Sequence, residues 1–338
     1  MDKRPARILV RSPNWLGDAV MALPFLANLR RTYPEAHIAI WCKPHLKDLF
    51  QAYPEIDEIV IYPSSFGSLL KHCLALRHRF RMCILLPNSF SSAMAAFLTA
   101  TPIRIGYATD ARGLFLTRSF PPPSDLHQID YYLHLLTLIG YQVVPCAPVL
   151  KPTVAGEREK SILEKQHCWQ KNYVVFAPGA AYGPAKCWPP TYFATLAQKI
   201  IHEMKLNVLV LGSKKDKSIA QEILNQMENT QGIYDLTGLT SLAGAMAIIK
   251  TARLVITNDS GLMHLTAALH CPQIAIFGPT DPNRTSPYGN TTKIIHHPIA
   301  CAPCKYRECP KDHLCMRQIT VKEVFEAIKE WRSSRTCY

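Results

Sequence analysis

VITNDSGLMHLTAALHCPQIAIFGPTDP, residues 255–282, changes its hydrophobic period twice within one short stretch. The apolar run RLVIT (253–257) ends in Asn258, Asp259, Ser260 and Gly261. Apolar residues at helical spacing follow, and a second run, QIAIF (273–277), ends in Gly278, Pro279, Thr280 and Asp281. Strand, turn, helix and strand in this order make a βαβ unit, whose strands lie parallel. A helix that starts directly after such a turn has unpaired N–H groups and partial positive charge at its first turn, which suits a diphosphate. Asp259 stands beside that helix start and can accept hydrogen bonds from sugar hydroxyls. His264 lies one turn into the helix, where a structural histidine and a ligand contact are both open readings.

The same alternation runs outward in both directions. Strand-like runs precede it at RILV (7–10), HIAIW (37–41), EIVIY (58–62), MCILL (82–86), IRIGY (103–107), YVVFA (173–177) and LNVLVLG (206–212). Helix-like segments fall at 19–32, 44–52, 67–79, 90–98, 130–140, 190–204, 215–227, 241–250 and 261–269. The proline-bearing stretch VVPCAPVLKPTVAG (143–156) breaks the series and reads as a linker. The spacing therefore predicts an α/β protein of two doubly wound domains, 1–150 and 157–338, with a ligand cleft at the carboxyl ends of the strands. A final amphipathic stretch, TVKEVFEAIKEWR (320–332), belongs to the second domain, with packing back on the first as an alternative.

The chain has 338 residues, 48% of them hydrophobic, which is ample for two cores. The formal net charge is +13, spread as 18 basic against 12 acidic residues in 1–160 and 20 against 13 beyond. This favours an anionic partner: nucleic acid, an acidic membrane face or a phosphorylated substrate. The first residues, MDKRPARILV, lack an apolar run of signal-peptide length, and no run is long enough to span a bilayer, so a cytoplasmic protein is expected. Twelve cysteines in such a chain read as thiols rather than as a disulfide framework.

Three further loops carry candidate chemistry. In VRSPNWLGDAVMALPFLANLRR (10–31), Asp18 sits where a helix begins, so a helix cap is the plain reading. Gly17 lets the backbone approach a ligand, and a carboxylate at that strand end can serve as general base for an incoming hydroxyl. The GxGxxG dinucleotide pattern is absent. In APGAAYGPAKCWPPTYFATLA (177–197), small residues lead to Lys186, which adds a point charge to a phosphate-approachable loop, although local evidence favours a solvated lysine. In CAPCKYRECPKDHLC (301–315), the spacing C-x2-C-x4-C-x5-C with His313 inside leaves two readings, a structural metal knuckle and unliganded thiols.

Together RSPNWLGDAVMALPFL, APGAAYGPAKCWP, NDSGLMHLTAAL and FGPTDP give a sequence that resembles the bacterial heptosyltransferases of glycosyltransferase family 9. CAPCKYRECP followed by Cys315 is similar to the heptosyltransferase II branch. The resemblance implies a GT-B architecture, two Rossmann-like domains facing across a cleft. It implies an inverting transfer that needs no metal, from ADP-L-glycero-β-D-manno-heptose on the carboxyl-terminal domain to the lipopolysaccharide inner core on the amino-terminal one. Asp18 would be the base and Lys186 the phosphate contact. Asp259, Ser260 and Gly261, with Leu262 and His264 beside them, would meet donor heptose and diphosphate. Asp216 is a candidate for the nucleotide. Asn14, Arg104 and Arg112 would serve the acceptor, with Arg118 completing a basic patch beside Leu114, Phe115 and Leu116, a trio better read as core. It further implies a peripheral protein on the cytoplasmic face of the inner membrane of a Gram-negative bacterium.

Rival readings are another family 9 enzyme with a different acceptor, such as heptosyltransferase I, an acceptor-free nucleotide-sugar epimerase, and a non-catalytic basic binding protein. The last ranks lowest because no helix-turn-helix signature and no RNA-recognition aromatic motif is present, so no nucleic-acid partner is expected.

Overall fold

The computed structural model describes residues 6–333 except Gln170 and Lys305, with the backbone alone for Phe66, Arg332 and Ser333. The chain forms two compact units, one ending at Pro148 and the next starting at Val149.

The first unit holds a six-stranded parallel sheet of β1 (Arg7–Arg11), β2 (His37–Cys42), β3 (Glu58–Ile61), β4 (Met82–Leu85), β5 (Ile103–Tyr107) and β6 (Arg118–Phe120), in the order β3-β2-β1-β4-β5-β6. The second repeats the plan with β7 (Tyr173–Ala177), β8 (Asn207–Val210), β9 (Ile233–Asp235), β10 (Leu254–Asn258), β11 (Gln273–Phe277) and β12 (Thr292–His296), ordered β12-β11-β10-β7-β8-β9. Central strands such as β4, β7, β10 and β11 are buried along their whole length, because helices cover both faces of a parallel sheet. In each unit the strand order reverses between two neighbours, β1 and β4 or β7 and β10. The crevice at the carboxyl ends of such a pair is where open α/β sheets take ligands.

The sequence-predicted strands are all present. The three it lacked, β6, β9 and β12, are three of the four outer strands; β6 and β12 are polar and partly exposed, and β9 is only three residues long. The segment 19–32 is two helices, Leu16–Met21 and Leu23–Thr32, because Pro24 has no N–H to continue the first. Helix Val154–His167 starts three residues inside the stretch read as linker, capped by Thr153. It lies so close to helix Leu242–Thr251 that a Cβ on Gly156 would come within 2.3 Å of the Ala243 carbonyl oxygen. The last helix, Val321–Ser333, packs on helix Pro190–Lys199 and β11 of the second unit, where Phe325 and Ile328 join a core with Phe193 and Ile276. Among the described residues no helix is long and apolar enough to cross a membrane.

One polar side chain fastens the end of the first unit. Asn28 is 2% exposed and donates to the Pro24 and Val144 carbonyls at 2.9 and 3.0 Å, while its Oδ1 accepts from Val144 N–H at 2.7 Å. Asn28→Ala leaves both Val144 groups short of a partner and is expected to lower stability by about 1–3 kcal/mol in a urea titration, with an unchanged m-value.

Candidate active site

In the second unit the loops after β7, β10 and β11 meet around one buried ion pair. Lys186 Nζ lies 2.5 Å from Asp259 Oδ2, with the lysine side chain 14% and the aspartate 5% exposed. Thr280 Oγ1 donates to the same Oδ2 at 2.7 Å. The lysine ammonium also lies 5.1 Å from the centre of the Tyr182 ring, on the loop that carries it. Lys186 is therefore no solvated loop lysine: it is held by a carboxylate from a strand end 73 residues away.

Asn258 explains why these loops stay together. Its Nδ2 donates to the Pro178 carbonyl at 2.6 Å and its Oδ1 accepts from Trp188 N–H at 3.1 Å. One buried amide thus pins both ends of the Lys186 loop to the end of β10. Ser260 precedes helix Gly261–Ala268 without a side-chain cap bond; its Oγ is 3.4 Å from Thr257 Oγ1. Gly261 and Leu262 are half-exposed at the first turn, whereas His264 is buried at 5%. Asp216 is engaged in a cap, its Oδ2 accepting from Ser213 N–H and Oγ at 2.7 Å each. A Cβ on Gly179 would fall 2.1 Å from Asp216 Oδ1, so the loop after β7 needs a glycine there.

In the first unit the loop after β1 leads into helix Leu16–Met21. Trp15, not Asp18, occupies the cap position, and it makes no side-chain cap bond. Asp18 is the third helical residue, where a carboxylate is favoured by the helix dipole, and this corrects the cap reading. It is half-buried and close enough to Tyr132, on helix Gln128–Leu138, to act on that phenol. Burial first, and the Asp18 charge second, hold the Tyr132 hydroxyl well above its ordinary pKa.

The acceptor-side candidates divide. Asn14 is exposed, and its Oδ1 accepts from Arg11 at 2.6 Å. Arg11 itself is 2% exposed; it donates to the carbonyls of Ser12 and Trp41 and stacks 4.0 Å over Tyr62. Burial lowers its pKa to about 10. Arg112 is not a surface arginine, as expected from its place among IRIGYATDARGLFLTRSF, but is fully buried. It donates to the Tyr107 carbonyl at 2.8 Å, to the Pro87 carbonyl and to Ser92 Oγ at 3.2 Å, and burial lowers its pKa to about 10. Arg104 is half-buried and ties the Phe115 and Thr101 carbonyls at 2.6 and 2.5 Å. Only Arg118 of the three lies exposed. The apolar trio also divides: Leu114 is 89% exposed, while Phe115 and Leu116 pack on the core.

Two doubly wound units with this strand order define the GT-B class of folds. Comparison with known proteins narrows the class. Residues 69–315 match the model of glycosyltransferase family 9 (heptosyltransferase), and the chain belongs to that family. It is 33% identical to lipopolysaccharide heptosyltransferase 2 of Escherichia coli K12 over 86% of this chain and 87% of that one. It is also 33% identical to lipooligosaccharide heptosyltransferase 2 of Haemophilus influenzae over 96% and 98% of the two chains. Among solved structures, that of E. coli ADP-heptose LPS heptosyltransferase II aligns over 96% of this chain and 98% of its own, with a TM-score of 0.84 and 29% identity.

Thr280, Asn258, Arg11 and Tyr132 were not singled out from sequence as site residues. Thr280, Asn258 and Arg11 lie inside the motifs quoted for the resemblance, but nothing along the chain tells that they bond across it. Lys186→Met leaves the Asp259 carboxylate buried with Thr280 alone. It is expected to lower stability by about 3 kcal/mol in chemical denaturation, with Lys186→Arg recovering part of the loss.

Proposed function

We propose that the protein transfers L-glycero-D-manno-heptose from ADP-heptose to the first heptose of the lipopolysaccharide inner core, with inversion at the transferred carbon. The observation that carries this reading is the likeness over 96% of the chain to an ADP-heptose LPS heptosyltransferase II. The paired Lys186 and Asp259 at the switch point of the second sheet support it, because a departing ADP puts new negative charge on phosphate. Lys186 and the helix start at Ser260 and Gly261 take up that charge, with no metal in the transfer step. Both hydrogen bonds to Asp259 converge on Oδ2, so Oδ1 is the oxygen offered to a donor hydroxyl.

On the acceptor side, Asp18 takes the hydroxyl proton as that oxygen bonds to the anomeric carbon and the bond to ADP breaks. A carboxylate is a weak base near neutrality, so the proton moves late, once the oxygen has given up electron density. Asn14, held by Arg11, orients the acceptor. The net charge of +13 suits a substrate rich in phosphate and carboxylate at a membrane surface. This reading places the protein on the cytoplasmic face of a Gram-negative inner membrane.

Asp18→Asn is expected to lower kcat by about 10²–10⁴-fold while leaving ADP affinity within about twofold of wild type. The assay offers ADP-heptose with acceptors truncated before the first and before the second heptose. Transfer to the acceptor that already bears one heptose is the expected result. Transfer to the heptose-free acceptor instead would reassign the protein to heptosyltransferase I. Full turnover by the variant would remove Asp18 from the reaction.

A further inference from the structure

The segment from Cys301 to Cys315 has no role in the chemistry above, yet it is joined to the loops that supply it. Cys304 N–H donates to the Pro279 carbonyl at 2.8 Å, next to Thr280. Ala185 N–H donates to the Arg307 carbonyl at 3.0 Å, and His313 Nε2 lies 2.7 Å from the Ala185 carbonyl oxygen, one residue before Lys186. Gly183, at φ +155°, lies so close that a Cβ would fall 2.4 Å from the Arg307 carbonyl oxygen. Cys315 is buried in the core of the unit, and a Cβ on Gly278 would come within 3.2 Å of its sulfur. Between these anchors lies a cavity of about 210 Å³ whose lining includes Cys301, Cys304, Cys309 and Cys315 together with His313.

All four cysteines are free thiols, at the spacing C-x2-C-x4-C-x5-C. Four sulfurs around one cavity form the donor set of a closed tetrahedral site for a soft divalent ion. His313 is already committed to the Ala185 carbonyl through Nε2, which leaves the fourth ligand position to a thiol. Among the described residues no three such side chains stand as a finished cage, so binding would draw the loop inward.

We propose that Cys301, Cys304, Cys309 and Cys315 bind one thiophilic divalent ion, Zn²⁺ or Fe²⁺, as a structural tetrathiolate that stiffens the Lys186 turn. Each thiol loses its proton to solvent as its sulfur binds the ion, and no electron moves. With four protein ligands the ion has no open position and takes no part in transfer. The metal site stands on the thiols alone; its coupling to Lys186 rests on the donor-site reading.

The test uses the full chain purified without a metal-binding tag. Elemental analysis is expected to give about one zinc or iron per chain, and which of the two is read directly. Four fewer thiols should react with Ellman's reagent than after chelation. Reloading with Co²⁺ should give a sulfur-to-cobalt charge-transfer band. Cys301→Ser with Cys304→Ser, which spares the buried Cys315, should lose the ion and weaken ADP binding about tenfold. Reduced wild-type protein that carries no metal and gives no cobalt band overturns the site, whether or not the double variant folds. Metal retained by a folded double variant overturns it as well. A bound ion whose loss leaves ADP affinity unchanged overturns the coupling alone. A metal-loaded wild type that does not bind ADP overturns the donor-site reading instead.

Discussion

Parallel pairing of β7 with β10 is the constraint on which the second unit depends. The two strands run side by side from Val174 against Leu254 to Ala177 against Thr257, so their following loops leave the sheet at one place. Parallel strands require a long excursion between them, here one that includes β8 and β9. The loops therefore come from positions far apart in the chain, and side chains reach across to join them. Asn258 performs the joining, and the Lys186–Asp259 pair sits on the frame it makes. Loss of the amide would free both loop ends at once.

The two units handle buried charge in opposite ways. In the second, Lys186 is matched by a carboxylate. In the first, Arg11 and Arg112 are buried against carbonyl oxygens, hydroxyl and amide groups, and for Arg11 a tyrosine ring. A guanidinium can bridge several carbonyls because its donors project in a fixed plane, which a lysine cannot copy. Those arginines brace the loops that follow β1, β4 and β5, and their burial lowers their pKa values without making them titrate near neutrality. Basic residues that looked like an anion-binding face in the sequence thus divide into braces and surface. Arg112 is a brace, Arg104 largely one, and Arg118 surface.

What could be read from the sequence follows from what is local. Buried strands such as LVITN and QIAIF are apolar or β-branched at every position but one, so they announce themselves, and two such series gave the two sheets. RSF, IYD and TKIIH do not, because an outer strand needs only one neighbour and tolerates polar residues. Asp18, Lys186 and Asp259 stood out in the sequence as charged residues in segments that follow strands. The Lys186–Asp259 bond was not, since it spans 73 residues, nor was the burial of Arg112, whose partners Pro87 and Ser92 lie 25 and 20 residues earlier.

Under the proposed donor role of Lys186, the ion pair also bears on how such a lysine can be oriented before its ligand arrives. A free lysine side chain has about 2 kcal/mol of rotamer entropy to lose when it meets a ligand. Asp259 removes much of that freedom during folding, by fixing Nζ against Oδ2 and over the Tyr182 ring. Thr280 donates to the same oxygen and shares in stabilising the carboxylate's charge. The ammonium has three N–H donors, and Asp259 Oδ2 occupies one. A leaving diphosphate would then meet a cation already oriented, and the reorganisation cost would fall on folding rather than on the transfer step.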